Sequence, residues 1–217
     1  MPQRKPDPFP FAAVRQVVAA HVPQHMPPLP GRTNSVHAAV LVPLCWRKPL
    51  GVVVTLRAAS LREHAGEFSF PGGRRERGDA GLVDTAIRET REELGVDRID
   101  ILGPLASIPV YTSEHRLFPF VGRIDSGEIQ ANKAEVAKVV RLDVMELLCL
   151  DKIDGIPFEW KDGTHMSPVF RVNEKPLFGA TAHTLYELLS ILAPLAKMDV
   201  PRLEAGRFQW RDLLGRT

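Results

Sequence analysis

Cysteine, long apolar runs and a strong charge of either sign are all scarce in this sequence. It holds only two cysteines in 217 residues, Cys45 and Cys149, far apart along the chain. Cys45 follows a strongly apolar run, so it is expected to be a small buried residue and not a disulfide partner. The formal net charge is +2. That is too little to argue for nucleic acid or an anionic membrane as partner, so any basic site must be local. No apolar stretch reaches the length of a membrane span. Nor does an apolar segment of secretion-signal type follow the opening Met-Pro-Gln-Arg-Lys-Pro. A reducing cytoplasm is the default expectation. What is present is ordinary globular composition, 44% apolar and 25% charged, with chain enough for one core and too little for two ordinary domains.

Four prolines in residues 1–10 predict irregular chain there. Phe11, Val14, Val17, Val18 and Val22 then fall at helical spacing. Pro23 and the run Pro27-Pro28-Leu29-Pro30-Gly31 end that helix and make a stiff linker. Residues 1–34 thus read as an N-terminal extension, 35–196 as the catalytic body and 197–217 as a C-terminal tail. Within the body, 36–44 and the Val-rich 50–56 read as strands. So do 67–70, 101–110, 117–124 and 136–142. Helical periodicity marks 79–94, with Gly95 as a left-handed cap, and 179–196. The class is α+β, a mixed sheet covered by helices on both faces. In the tail, Phe208, Trp210, Leu213 and Leu214 can dock on the chain's own body or on a second subunit in a homodimer.

The helix at 79–94 is the candidate for the chemistry. On a wheel of roughly 100° per residue, Val83, Ala86, Ile87, Thr90 and Leu94 form one stripe, expected against the sheet. Thr85, Glu89, Glu92 and Glu93 form an adjoining face. Glu89 lies three residues from Glu92 and four from Glu93, so the carboxylates are neighbours, and like charges at those spacings destabilise a helix. Arg88, four before Glu92, is the one base placed to help, and none stands four from Glu89. Two readings remain: a solvated acidic face, or a site where a hard divalent cation such as Mg²⁺ or Mn²⁺ removes the repulsion. The preceding Gly72 and Gly73 suit positive φ or close approach of a phosphate.

The stretch Arg88-Glu89-Thr90-Arg91-Glu92-Glu93-Leu94-Gly95-Val96 resembles the end of the Nudix box, R-E-apolar-x-E-E-x-G-apolar, with Thr90 at a usually apolar position. The front of the box departs from it. Ala80 and Arg74 stand where an acid and the leading glycine are usual, and Asp79 lies beside the acid position. That deviation resembles the coenzyme A diphosphatase branch, as do Thr55, Arg57, Arg62, Gly66 and Phe70-Pro71-Gly72-Gly73 before the box and Phe178-Gly179-Ala180-Thr181-Ala182 near the last helix. The resemblance implies an α/β/α sandwich with the box as loop–helix–loop. It implies that Glu89, Glu92 and Glu93, with the Gly73 carbonyl, bind Mg²⁺ or Mn²⁺, and that Arg88 orients a glutamate. Glu135 is either an additional ligand, the base, or a plain loop residue.

Diphosphate hydrolysis needs in-line water and neutralised charge. No Walker-type lysine and no Ser-His-Asp set is visible, and His64 reads as a structural or substrate-side hydrogen-bonder. The expected substrate is a small molecule, coenzyme A or acyl-CoA, cut to 3′,5′-ADP and 4′-phosphopantetheine. Arg57, Arg62, Phe70, Gly72 and Gly73 are the expected substrate contacts, and Arg74 and Arg75 are read as solvated loop residues. The alternatives are a Nudix enzyme cutting another nucleotide, or a non-catalytic Nudix ligand-binding regulator.

Overall fold

The computed structural model describes residues 8–47, 49–125, 127, 129–160 and 163–214. Part of the irregular N-terminal segment expected above, residues 1–7, lies outside them.

Helix α1 (Phe11–Ala20) precedes strands β1 (Val36–Cys45), β2 (Gly51–Arg57), β3 (Phe68–Ser69) and β4 (Gly72–Arg74). Helix α2 (Leu82–Leu94) leads to β5 (Ile99–Pro104), β6 (Ile108–Pro109), β7 (His115–Ile124) and β8 (Val136–Asp143). The short α3 (Val144–Leu148) is followed by β9 (Lys152–Trp160), β10 (Gly163–Val172) and β11 (Lys175–Leu177). Then come α4 (Gly179–Leu192), β12 (Arg202–Ala205) and α5 (Trp210–Leu213).

The main sheet is mixed: β1 runs parallel to β7 and antiparallel to β2 and β4. Its central strands are apolar on both faces because both are covered. Ala39, Leu41, Cys45 and Val53 point to α2 with Ala86 and Leu94. The alternate residues Val40, Val42, Leu44, Val52 and Val54 point to the larger core, with Val14 and Val18 of α1 and Leu185, Leu188 and Leu189 of α4. The period-2 alternation of strands explains how one apolar run serves two cores. This is the expected α/β/α sandwich.

Several elements differ from the sequence reading. The strand expected at 101–110 is two strands, β5 and β6, both pairing β7. Between them the backbone leaves the ladder so that Ala106 N–H can donate to Glu187 Oε1 and Oε2, each at 3.0 Å. Helix α1 stops at Ala20, and 179–196 is α4 plus a 3₁₀ turn at Ala193–Ala196. A second sheet, β11-β10-β9-β12, has no counterpart in the sequence reading. Its strand β12 belongs to the tail and pairs in parallel with β9. Cys45 is buried and both cysteines are free.

Candidate functional site

Helix α2 begins at Leu82, three residues later than expected, because 79–81 form the loop that caps it. Asp84 Oδ2 accepts the Gly81 N–H at 3.0 Å, and Gly95 ends the helix with φ 63°. The packed stripe is rotated from the expected one. Thr85, Ala86, Thr90, Glu93 and Leu94 are buried, while Val83 and Ile87 are only half-buried. Thr90 fits its apolar position because its hydroxyl donates to Ala86 O at 2.7 Å. Glu93, expected on an open face, is 2% exposed. Tertiary packing of β4 against α2 closes over it, which a helical wheel does not contain.

The two glycines explain that packing. A Cβ on Gly72 would lie 2.3 Å from Ala39 O, so β4 can press on β1 only without a side chain there. A Cβ on Gly73 would lie 2.3 Å from Glu89 Oε1, so the Glu89 carboxylate rests directly on the turn. The Gly72 N–H donates to Glu93 Oε1 at 3.3 Å. Burial pushes Glu93 up to about 7, against the pull of that hydrogen bond and of Arg57, while Glu135 and Glu89 add repulsion. Burial also raises Glu89, opposed by Arg88, with Glu92 and Glu135 repelling it. Glu135 is therefore an electrostatic neighbour of both buried carboxylates. It is half-buried, and its Oε1 accepts from Asn132 Nδ2 at 3.1 Å.

Arg88 organises the rest. Its Nε and Nη2 form a fork on Asp79, each at 3.1 Å. Its Nη1 donates to Glu89 Oε1 at 2.9 Å and Glu92 Oε2 at 3.1 Å, and Nη2 also reaches Arg74 O at 3.1 Å. The Arg88 base thus compensates Glu89 from the adjacent position, which spacing rules for four-residue pairs missed. Asp79 also accepts from Glu76 N and Thr85 Oγ1, each at 2.9 Å. The Arg88 fork first, and these donors next, hold its carboxyl far below the usual range. The clamp on Arg88 was missed by the sequence reading. The one signal for it was an aspartate displaced by one residue from the expected acid position.

Among the arginines, Arg75 braces the loop through Asp79 O and Ala80 O. Arg74 is exposed, but its Nε donates to His115 Nε2 at 2.8 Å, so it is not a freely solvated residue. Burial and then the Arg74 charge lower the His115 pKa, keeping the ring neutral as that acceptor role requires. A register shift at Leu56/Arg57 re-aims Arg57 at the end of β2. Its Nε is buried without a hydrogen-bond partner. Arg62 is exposed on the next loop. His64 pairs with Glu67 at 2.9 Å, which raises its pKa.

Phe70, expected to touch substrate, is 3% exposed and sits in the main core, so its role is packing. Thr55 is likewise structural: its Oγ1 donates to Ser69 O at 3.2 Å and stitches β2 to β3. Glu92 remains exposed. Among the described residues no three acidic, imidazole or thiol groups already converge as a metal-ligand set, and Arg88 donates to both Glu89 and Glu92. The donors nevertheless suit a hard divalent cation in chemistry: carboxylate oxygens, one of them buried with a single weak hydrogen bond, beside a glycine cradle.

The "Uncharacterized Nudix hydrolase NudL" of Photorhabdus laumondii is 32% identical over 169 residues, covering 75% of this chain and 89% of that protein. The protein of the same description in Pectobacterium atrosepticum is 31% identical over 170 residues, covering 74% and 86%. A solved NUDIX hydrolase from Alicyclobacillus acidocaldarius matches with TM-score 0.49 at 16% identity, over 76% of this chain and 97% of that one. Residues 35–161, more than half of the chain and including α2 with its three glutamates, match the NUDIX domain, and the chain accordingly belongs to the Nudix hydrolases.

Proposed function

We propose that this enzyme hydrolyses the diphosphate of coenzyme A or an acyl-CoA to 3′,5′-ADP and 4′-phosphopantetheine. Hydrolysis of a diphosphate is the chemistry of its family. The observation that carries the finer reading is Arg57. Its Nε is buried with no partner in the described structure, and its charge acts on Glu93. A guanidinium so placed suits a phosphate oxygen arriving beside the acidic cluster. Arg62, exposed on the loop that follows, is free to meet a second phosphate, which coenzyme A carries at its 3′ position.

Nudix hydrolases generally use divalent metals such as Mg²⁺ or Mn²⁺. Here Glu89, Glu92, Glu93 and the Gly73 carbonyl are the groups to hold one. When bound it supplies charge neutralisation at phosphate oxygens and acidifies water. The chain's own residues do the rest. Asp79 fixes Arg88, and Arg88 fixes Glu89 and Glu92, so the carboxylates are set before substrate arrives. Gly72 and Gly73 let backbone and phosphate approach closely. Glu135, anchored by Asn132, is the carboxylate left to accept the proton of the attacking water.

The test is mass spectrometry of products after incubation with coenzyme A and Mg²⁺. Equal amounts of 3′,5′-ADP and 4′-phosphopantetheine are expected. Intact coenzyme A, with cleavage of a dinucleotide or nucleotide sugar in a parallel panel, would assign the enzyme to another nucleotide. No cleavage of any diphosphate would leave the ligand-binding regulator.

A further inference from the structure

The peptide between Gly73 and Arg74 carries the carbonyl assigned above to the metal. On its N-terminal side stand two glycines, the residue type with the widest backbone freedom. Strand β4 itself spans only Gly72–Arg74. From the other side the peptide is held by Arg74, which is fastened at both ends. Its carbonyl accepts from Arg88 Nη2 at 3.1 Å. Its side-chain Nε donates to His115 Nε2 at 2.8 Å.

The second fastening crosses a strand. Arg74 opposes Ala38 on one edge of β1, and His115 opposes Val36 where β7 runs along the other edge. Ladder partners, and residues two apart on one strand, share a face. Arg74 and His115 therefore meet on the same side of β1. Arginine has donors and no acceptor, so His115 Nε2 is the bare ring nitrogen and Nδ1 carries the proton. Ser113 Oγ lies 2.8 Å from Nδ1 and accepts that proton's hydrogen bond. Ser113 thus sets the tautomer that Arg74 requires. The turn that carries both is itself pinned. Asn34, 1% exposed, donates through Nδ2 to Ser113 O and His115 O, each at 3.2 Å. Glu114 accepts from Thr33 N at 3.0 Å and Asn34 N at 2.9 Å.

We propose that His115 is a positioning residue for the metal site: through Arg74 it fixes the peptide that presents the Gly73 carbonyl, with Ser113 holding its ring in the accepting tautomer. This rests on the reading of Glu89, Glu92, Glu93 and the Gly73 carbonyl as the metal's ligands. His115 touches neither metal nor substrate in this role. It lowers the freedom of a glycine turn before the ion arrives, so its loss is felt as weaker ion binding.

The test is Mn²⁺ binding by titration calorimetry, without substrate, in the full-length protein. His115→Phe keeps a flat ring and removes the acceptor, and should weaken Mn²⁺ binding about tenfold or more. His115→Gln, whose amide oxygen can take the acceptor's place, should restore most of that affinity. Arg74 is exposed, so Arg74→Ala tests the same link with little risk to folding, and should lose as much as His115→Phe. The double variant should bind no more weakly than either single one, because one path carries both effects. Wild-type affinity in Arg74→Ala or His115→Phe, additive losses in the double variant, or a glutamine variant as weak as the phenylalanine one overturns the role of His115 and leaves the metal site standing. No Mn²⁺ binding by the wild type would remove the metal reading, and this role with it.

Discussion

Replacing Glu93 with glutamine should make the metal-free protein more stable at alkaline pH while abolishing its activity. Glu93 is 2% exposed, and burial raises its pKa from 4.5 to about 7. A raised carboxyl favours its neutral form in the folded state. Its ionisation therefore costs nothing below about pH 4.5, where folded and unfolded chains are both protonated. The cost grows as pH rises and is complete above about pH 7, when the folded carboxylate must ionise in its buried site. The gap between 4.5 and about 7 corresponds to about 3 kcal/mol. Glutamine keeps the oxygen that accepts the Gly72 N–H and removes the ionisation. With a chelator present, urea unfolding at pH 5 and pH 8 should show Glu93→Gln gaining about 2–3 kcal/mol on the wild type between the two conditions. Turnover with Mg²⁺ should fall by orders of magnitude. A variant less stable than wild type at pH 8, or one equally offset at both pH values, would show that Glu93 is not a strained buried carboxylate. Near-normal turnover would remove it from the site.

Three further outcomes test the surrounding geometry. Gly73→Ala should displace the Glu89 carboxylate, 2.3 Å from the added Cβ, and lower kcat about a hundredfold or more with little loss of helix by circular dichroism; unchanged kcat would refute the close approach. Asp79→Asn should lower stability at neutral pH. Because the native pKa of Asp79 is depressed below 3.8, that deficit should be present above pH 4 and shrink as pH falls towards 2, as read by urea unfolding across that range. A deficit independent of pH would mean the Arg88 fork contributes through shape and not charge. Arg62→Ala should reduce kcat/KM for coenzyme A about tenfold more than for its analogue lacking the 3′-phosphate. Equal losses on the two substrates would show that Arg62 does not read that phosphate.

Local periodicity was enough for the parts of the fold that satisfy themselves locally. The strands at 36–44, 50–56, 117–124 and 136–142 and the helices at 79–94 and 179–196 appear within a few residues of their expected ends, because apolar spacing, glycine caps and proline breaks are properties of neighbouring residues. The acidic trio was legible for the same reason: Glu89, Glu92 and Glu93 are neighbours on any helix. The second sheet was not: its strands β9, β10 and β11 are successive antiparallel neighbours that the sequence reading did not place, and its fourth strand, β12, joins β9 from the tail by a long-range parallel pairing. Nor was the break between β5 and β6, which Glu187 of α4 decides by capturing Ala106 N–H.

At the site, the sequence by itself determined which residues are the candidates for the chemistry, because carboxylates three and four apart and two adjacent glycines are fixed by the chain. Tertiary structure alone decided how each behaves. It buried Glu93 under β4 while leaving Glu92 exposed, sent Phe70 into the core, and brought Asp79 from the preceding loop onto Arg88. Burial and contact depend on which surfaces the fold brings together, and desolvation sets the charge of a carboxylate more strongly than its place along the chain.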